Sequence, residues 1–137
     1  MITFNYENEF NLKDEKSLEN WIENLVDNKG FEIGEINYIF CDGVYINKLY
    51  VEFLKHDTLT DIISFDNSLG KLINGDIFIS VERVEDNAND FKVSFNDELH
   101  RVMIHGVLHY MGFKDKSDDE KQEMRNQENE ALLLLNN

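Results

Sequence analysis

In the segment HGVLHYMGFKD, residues 105–115, three side chains have types and spacing suited to metal chemistry. His105 and His109 stand four apart in a helix-forming run, so their imidazoles leave one face a single turn apart and can reach one ion. Val102, Met103, Ile104, Val107 and Leu108 make the run apolar nearly all round, so it is expected to be buried. Two neighbouring buried imidazoles cannot both charge cheaply, and a divalent ion gives both a partner at once. Gly112 ends the run and permits a sharp left-handed turn, so the next loop can fold back and aim Asp115 at the same ion. His, His and Asp supply three protein ligands and leave a fourth position for water. This is the open arrangement of a catalytic zinc, not the closed one of a structural zinc. Zinc-bound water ionises near neutral pH and can attack an electrophile; beyond that water, the sequence names no catalytic group.

A buried helix of this kind needs a sheet and other helices around it. Ile2 to Tyr6 alternates like a strand, and Lys13 to Asp27 places Leu18, Trp21, Ile22 and Leu25 at helical spacing before Asn28-Lys29-Gly30. Phe31 to Cys41 reads as a second strand, mainly from Glu35 on. Tyr45 to Leu54 reads as an amphipathic helix. Asp61 to Phe65 and Asp76 to Val81 are two β-rich runs, separated by the turn signals Asn67-Ser68, Gly70 and Asn74-Gly75. Glu82 to Asp90 reads as a solvated helix. Ser94 to Met111 is the long helix, opened by Ser94-x-x-Asp97, and Asp118 to Leu135 is a last helix with a charged, solvated face. This order predicts an α/β (α+β) fold: one compact domain over residues 1–137, with a mixed sheet of about four strands and helices mainly on one side.

Composition narrows the function. The chain has 137 residues, with 13 Lys+Arg against 28 Asp+Glu, a net charge of −15. The length suffices for a real core, and no apolar run is long enough to span a membrane. The opening MITFNYENEF has neither the cationic flank nor the apolar run of a signal peptide. One cysteine, Cys41, excludes an internal disulfide framework and reads as a small buried residue. The acidity excludes non-specific, backbone-driven binding of nucleic acid, which needs a basic surface to displace counterions.

The spacing H-x₃-H-x₂-G-x₂-D is close to that of the metzincin peptidases. However, Gly106 stands where their general base would be, and only 22 residues follow Asp115, leaving little room for a Met-turn. Gly106 instead implies that another element packs tightly against the helix. The run H-G-x-L-H-x-x-G-F resembles the signature of the YbeY family of bacterial metal-dependent endoribonucleases. His56-Asp57-x-x-x-Thr-Asp61-Ile-Ile-Ser-Phe65 is similar to that family's K-D-x-P-T-[DN]-V-L-S-F segment, and Gly75 to Ser80 to its G-D-I-x-I-[CS] strand.

The resemblance implies one zinc, cleavage of single-stranded RNA, 3′-end maturation of a 16S rRNA precursor and ribosome quality control in the cytoplasm. It also implies contact with a ribosome or ribosomal proteins, and no membrane. The metal ligands carried over are His105 and His109, with Asp115 where the family usually has a third His. A carboxylate can replace an imidazole on zinc. Leu54 and His56 stand where the family has Arg and Lys. His56, Lys114 and Lys116 are candidate phosphate contacts, the lysines reading equally well as a solvated loop. Glu98, seven residues before His105, reads either as support for a ligand or as a surface carboxylate at a helix start. His100 falls on another sector of the helix and reads as structural. Two other functions stay open: a metzincin-like zinc peptidase, and a non-catalytic ribosome-associated factor stabilised by zinc. The oligomeric state is not legible.

Overall fold

The computed structural model describes residues 1–45 and 61–136. Strands β1 (Ile2–Tyr6), β2 (Glu32–Cys41), β3 (Ile62–Asp66) and β4 (Leu72–Ser80) form one sheet in the order β1-β2-β4-β3. The first two pairings are parallel, and β3 pairs antiparallel with β4. The helices with full bounds among the described residues are α1 (Glu15–Asn28), α2 (Val81–Phe91), α3 (Phe95–Tyr110) and α4 (Asp118–Leu135). The mixed four-strand sheet expected from the sequence is present. The helix expected over Tyr45 to Leu54 lies almost wholly outside the described residues, as do His56 and Asp57.

The register explains why the sheet buries one face. Ile2, Ile36 and Gly75 form one row across it, Phe4, Tyr38 and Ile77 the next, and Tyr6, Phe40 and Ile79 a third. Alternation along each strand puts all nine on one side. The rings of Phe4 and Tyr38 stack at 5.7 Å and those of Tyr6 and Phe40 at 5.5 Å, so the rows interlock across strands. All four helices contribute to the core on this face: Leu18, Trp21 and Ile22 from α1, Val84 from α2, Leu99, Met103 and Val107 from α3, and Met124 and Ala131 from α4. The opposite face carries the small cluster of Cys41, Ile63, Phe65 and Phe78. Burial there pushes the Cys41 thiol up to about 12, as expected of an inert packed side chain. Among the described residues, no helix is long and apolar enough to cross a membrane.

Two glycines set how closely α3 lies on the sheet. A Cβ on Gly106 would stand 2.9 Å from Ile77 Cδ1 and 3.4 Å from Ile62 Cδ1. Alanine there would gain about 1 kcal/mol of helix propensity, so the glycine is explained by the close approach and not by the helix. At Gly75 a Cβ would fall 2.3 Å from the Phe65 carbonyl oxygen and 2.4 Å from Tyr110 Oη. Tyr110, the last residue of α3, lies over that gap, its hydroxyl 3.0 Å from the Phe65 carbonyl and 3.1 Å from that of Asp76. The sequence reading took Asn74-Gly75 as a turn, yet both lie inside β4, which runs from Leu72.

Both ends of α3 and the start of α4 are held by local chemistry. Ser94 Oγ accepts from the Asp97 N–H at 3.1 Å. Ser117 and Glu120 form a full capping box at the start of α4. The indole of Trp21 donates to the Ala131 carbonyl at 2.8 Å, tying α4 to α1 across the core.

Replacing Gly75 by Ala should part β3 from β4 or eject Tyr110, since backbone oxygen cannot yield as a side chain does. The expected cost is about 2–4 kcal/mol, read as a fall of roughly 10 °C in the thermal unfolding midpoint. An unchanged midpoint would refute this account of the close approach.

Candidate metal centre

Successive residues of α3 divide into two neighbouring rows. Leu99, Met103, Gly106 and Tyr110 face the core and sheet; Glu98, Val102, His105 and His109 line a cavity beside it. Each row follows the four-three-four spacing of a helix face, and the two are offset by one residue, about 100° of rotation. The packing row thus fixes where the second row points.

The loop after α3 brings in Asp115. Gly112 has φ +98°, its N–H donates to the His109 carbonyl at 3.0 Å, and the Phe113 N–H donates to the Leu108 carbonyl at 3.1 Å. These two bonds are the Schellman pattern, which needs a residue free to adopt left-handed backbone. Asp115 follows, held between this turn and the capping box of α4. Its Oδ2 lies 3.2 Å from His105 Nε2 and 3.3 Å from His109 Nε2, and the two Nε2 atoms are 2.9 Å apart. Among the described residues, His105, His109 and Asp115 are the group of ligand atoms close enough to hold a metal ion.

The other ring nitrogens show what the three facing atoms are. His105 Nδ1 meets Glu128 Oε2 at 2.6 Å, and His109 Nδ1 meets the Phe113 carbonyl at 3.0 Å. Both partners are acceptors, so each neutral ring carries its proton on Nδ1 and presents a bare lone pair at Nε2. Two lone pairs and a carboxylate oxygen then converge within 3.3 Å, which is repulsive without a positive charge among them. Tetrahedral zinc with bonds of about 2.0–2.1 Å spaces its ligand atoms about 3.3 Å apart, so the donor set fits such an ion. The side chains of His105, His109 and Asp115 are 22%, 29% and 40% exposed, so one side of the group is open to solvent.

Glu128 is the residue that the sequence reading misplaced. The charged face of the last helix reads as solvated, yet Glu128 on that helix is 5% exposed and meets His105. Its other oxygen receives Arg101 Nη1 at 2.9 Å, and Arg101 Nη2 donates to Asn129 Oδ1 at 2.9 Å. Burial alone would raise the Glu128 carboxyl, but hydrogen bonds from His105 and Arg101 hold it below the usual range. Burial works against a charged His105. The hydrogen bond and charge of Glu128, with the charges of Asp115 and Asp61, outweigh it and raise the imidazole. A proton and a divalent ion therefore compete for the same three atoms. A signal for Glu128 was present in the sequence: it lies in register with Met124 and Ala131, which are both buried.

The cavity holding the histidine row has a volume of about 510 Å³ and is also lined by Asp61, Ser64, Arg101, Arg125 and Glu128. Glu98 lies in it, 5% exposed, and is not the surface carboxylate that its place near a helix start suggested. Burial, with the charge of Asp61, raises its carboxyl, while Arg101 and Arg125 oppose the shift. Asp61 accepts from Asn87 Nδ2 at 3.2 Å and reaches the cavity from the start of β3. Lys114 and Lys116 are exposed on either side of Asp115 and line a second opening with His109 and Glu120. His100 packs edge-on against Trp21 at 6.1 Å and lines a separate hollow, in keeping with a structural role.

Comparison with known proteins agrees over the whole fold. The family model described as Endoribonuclease YbeY matches residues 3–136. A curated protein of that name from Flavobacterium johnsoniae is 56% identical, covering 98% of this chain and 97% of its own length. One from Christiangramia forsetii is 51% identical, covering 98% and 94%. The solution structure of TM1509 from Thermotoga maritima superimposes with a TM-score of 0.71 at 27% identity, covering 98% of this chain and 89% of that one. On the match over nearly its full length, the chain belongs to the endoribonuclease YbeY family.

Proposed function

We propose that this chain, acting as one domain over residues 1–137, is a zinc-dependent endoribonuclease that cleaves single-stranded RNA. Its cellular task on this reading is 3′-end maturation of a 16S rRNA precursor and ribosome quality control, in the cytoplasm and in contact with ribosomal proteins. The observation that carries it is the convergence of His105 Nε2, His109 Nε2 and Asp115 Oδ2 at the mouth of an open cavity, in a chain of this family. These three residues would hold the ion. When bound, zinc would supply Lewis-acid charge at the phosphodiester and acidify water at neutral pH.

The protein's own residues do the rest. Glu128 holds the His105 proton on Nδ1 and the Phe113 carbonyl holds that of His109, so both rings present Nε2 without rotating. Arg101 locks Glu128 in turn, and the Schellman turn fixes Asp115. Glu98, with its carboxyl raised, is placed to keep or deliver a proton inside the cavity. Lys114 and Lys116 stand where phosphates flanking the cleaved bond would pass, and His56 keeps the same candidate role from outside the described residues.

The geometry argues against the two competing functions. A side chain at position 106 would be driven against Ile77 and Ile62, so the position has no room for a peptidase's glutamate base. A purely structural zinc wants four protein ligands, and the described residues bring three together.

Two experiments test the proposal. Zinc-loaded protein should cleave single-stranded RNA and leave casein intact, and His109→Ala and Asp115→Ala should each lose RNA cleavage by at least about 100-fold. Casein cleavage, or RNA cleavage that survives both substitutions, would overturn it. Purified protein should hold about one zinc, His105→Ala should lose it, and Glu128→Gln should bind it roughly 10–100-fold more weakly. Full metal content in His105→Ala would mean that the ligands are wrong.

A further inference from the structure

The cavity lining poses a charge problem for an RNA substrate. Its acidic members are Asp61, Glu98, Asp115 and Glu128; its cationic members among the described residues are Arg101 and Arg125. Any phosphate brought beside the metal ligands meets this excess of carboxylate, on a chain whose net charge is −15. The proposed zinc and the exposed Lys114 and Lys116 offset part of this excess, and a cation on the cavity wall that can leave its present partner would add to them.

The two arginines differ in how far they are committed. Arg101 is 22% exposed and uses both terminal nitrogens, on Glu128 at 2.9 Å and Asn129 at 2.9 Å. Drawing it away would strip a buried carboxylate of its partner and release His105. Arg125 is 52% exposed, and its pairing with Glu128 is long, at 3.8 Å. Only the Arg125 end of this pair is exposed, but at 3.8 Å it is no hydrogen bond, and Glu128 keeps Arg101 and His105 when Arg125 leaves. Arg125 also lines both the main cavity and a neighbouring opening with His105, Asp115 and Lys121. It thus stands on one flank of Asp115, while Lys114 and Lys116 stand on the other.

We infer that Arg125 is a substrate-binding residue: its guanidinium leaves Glu128 and takes a phosphate of the RNA strand next to the metal centre, opposite Lys114 and Lys116. Arg101 stays on Glu128 and touches no substrate. This rests on the endoribonuclease reading above and adds to it the path of the strand, with one flanking phosphate on α4 and another on the loop after α3. A flanking contact is made alike in ground state and transition state, so its loss appears in KM and not in kcat.

The test compares the full-length protein with Arg125→Ala, Arg125→Lys, Arg101→Ala and Lys16→Ala. Lys16 is an 80% exposed cation on α1 that lines none of these openings. Zinc-loaded Arg125→Ala should show KM for single-stranded RNA raised about tenfold, with kcat and zinc content close to those of the parent. With zinc-loaded protein and a labelled, cleavage-resistant RNA analogue, anisotropy should report binding directly. The slope of log K against log salt should then fall by about 0.7 for Arg125→Ala, the loss of one phosphate contact. Arg125→Lys should restore most of that slope, and Lys16→Ala should leave it unchanged. Arg101→Ala should instead lose zinc. Parent protein that cleaves RNA beside an Arg125→Ala variant with unaltered KM and slope overturns the role of Arg125 alone. A fall in kcat and zinc with KM unchanged also overturns it, placing Arg125 with the supports of Glu128. Parent protein that neither binds nor cleaves RNA overturns the reading beneath.

Discussion

The structure depends on the close seating of α3 on the sheet. Gly106 lets Ile77 and Ile62 touch the helix backbone, and Gly75 lets Tyr110 lie across two strands. With those contacts made, the helix cannot roll, and the residues one step round from each packed position face the cavity. Side chains on the packing row carry no chemistry, yet they aim the two imidazoles. The same seating excludes a carboxylate after the first histidine, because that position belongs to the sheet.

What could be read from the sequence was what is local. The histidine pair, the glycine turn and Asp115 lie within eleven residues, and helix geometry alone brings them near one another. A mixed sheet of about four strands with helices on one side followed from the succession of strand-like and helical runs, whereas the order β1-β2-β4-β3 did not. What was missed depends on contacts between distant elements. Gly75 looks like half of a turn until Tyr110, 35 residues later, is seen lying over it. Glu128 looks like one more charge in an acidic helix until His105 and Arg101 are seen beneath it. Its register with Met124 and Ala131 is the one sequence signal for its burial, and it says nothing of the partner. Glu98 reads either as support for a ligand or as a surface carboxylate at a helix start, and its burial by the cavity wall is not written in its own turn of helix.

The electrostatics form nested layers. Glu128 is charged and buried because two cationic or proton-donating partners face it. His105 offers a lone pair at Nε2 because its Nδ1–H donates to Glu128. The three facing ligand atoms tolerate one another only around a positive charge. Each layer is costly alone and stable with the next. A surface as acidic as this one gives no general attraction for RNA, so any attraction has to be local, from the few cations in and beside the cavity.

The anchoring of α4 by Trp21 and the seat of Glu128 have a consequence for biosynthesis. All three residues of the candidate metal site have been made once Asp115 is translated, but the carboxylate that accepts from His105 Nδ1–H lies 23 positions after that histidine. The indole that docks this helix reaches Ala131, later still and 110 positions from Trp21. A nascent chain carrying the ligands but not α4 has an unheld imidazole and an undocked loop. A protein able to cut RNA is thus made beside RNA, on the ribosome, with its orienting carboxylate among the last parts of the fold to emerge.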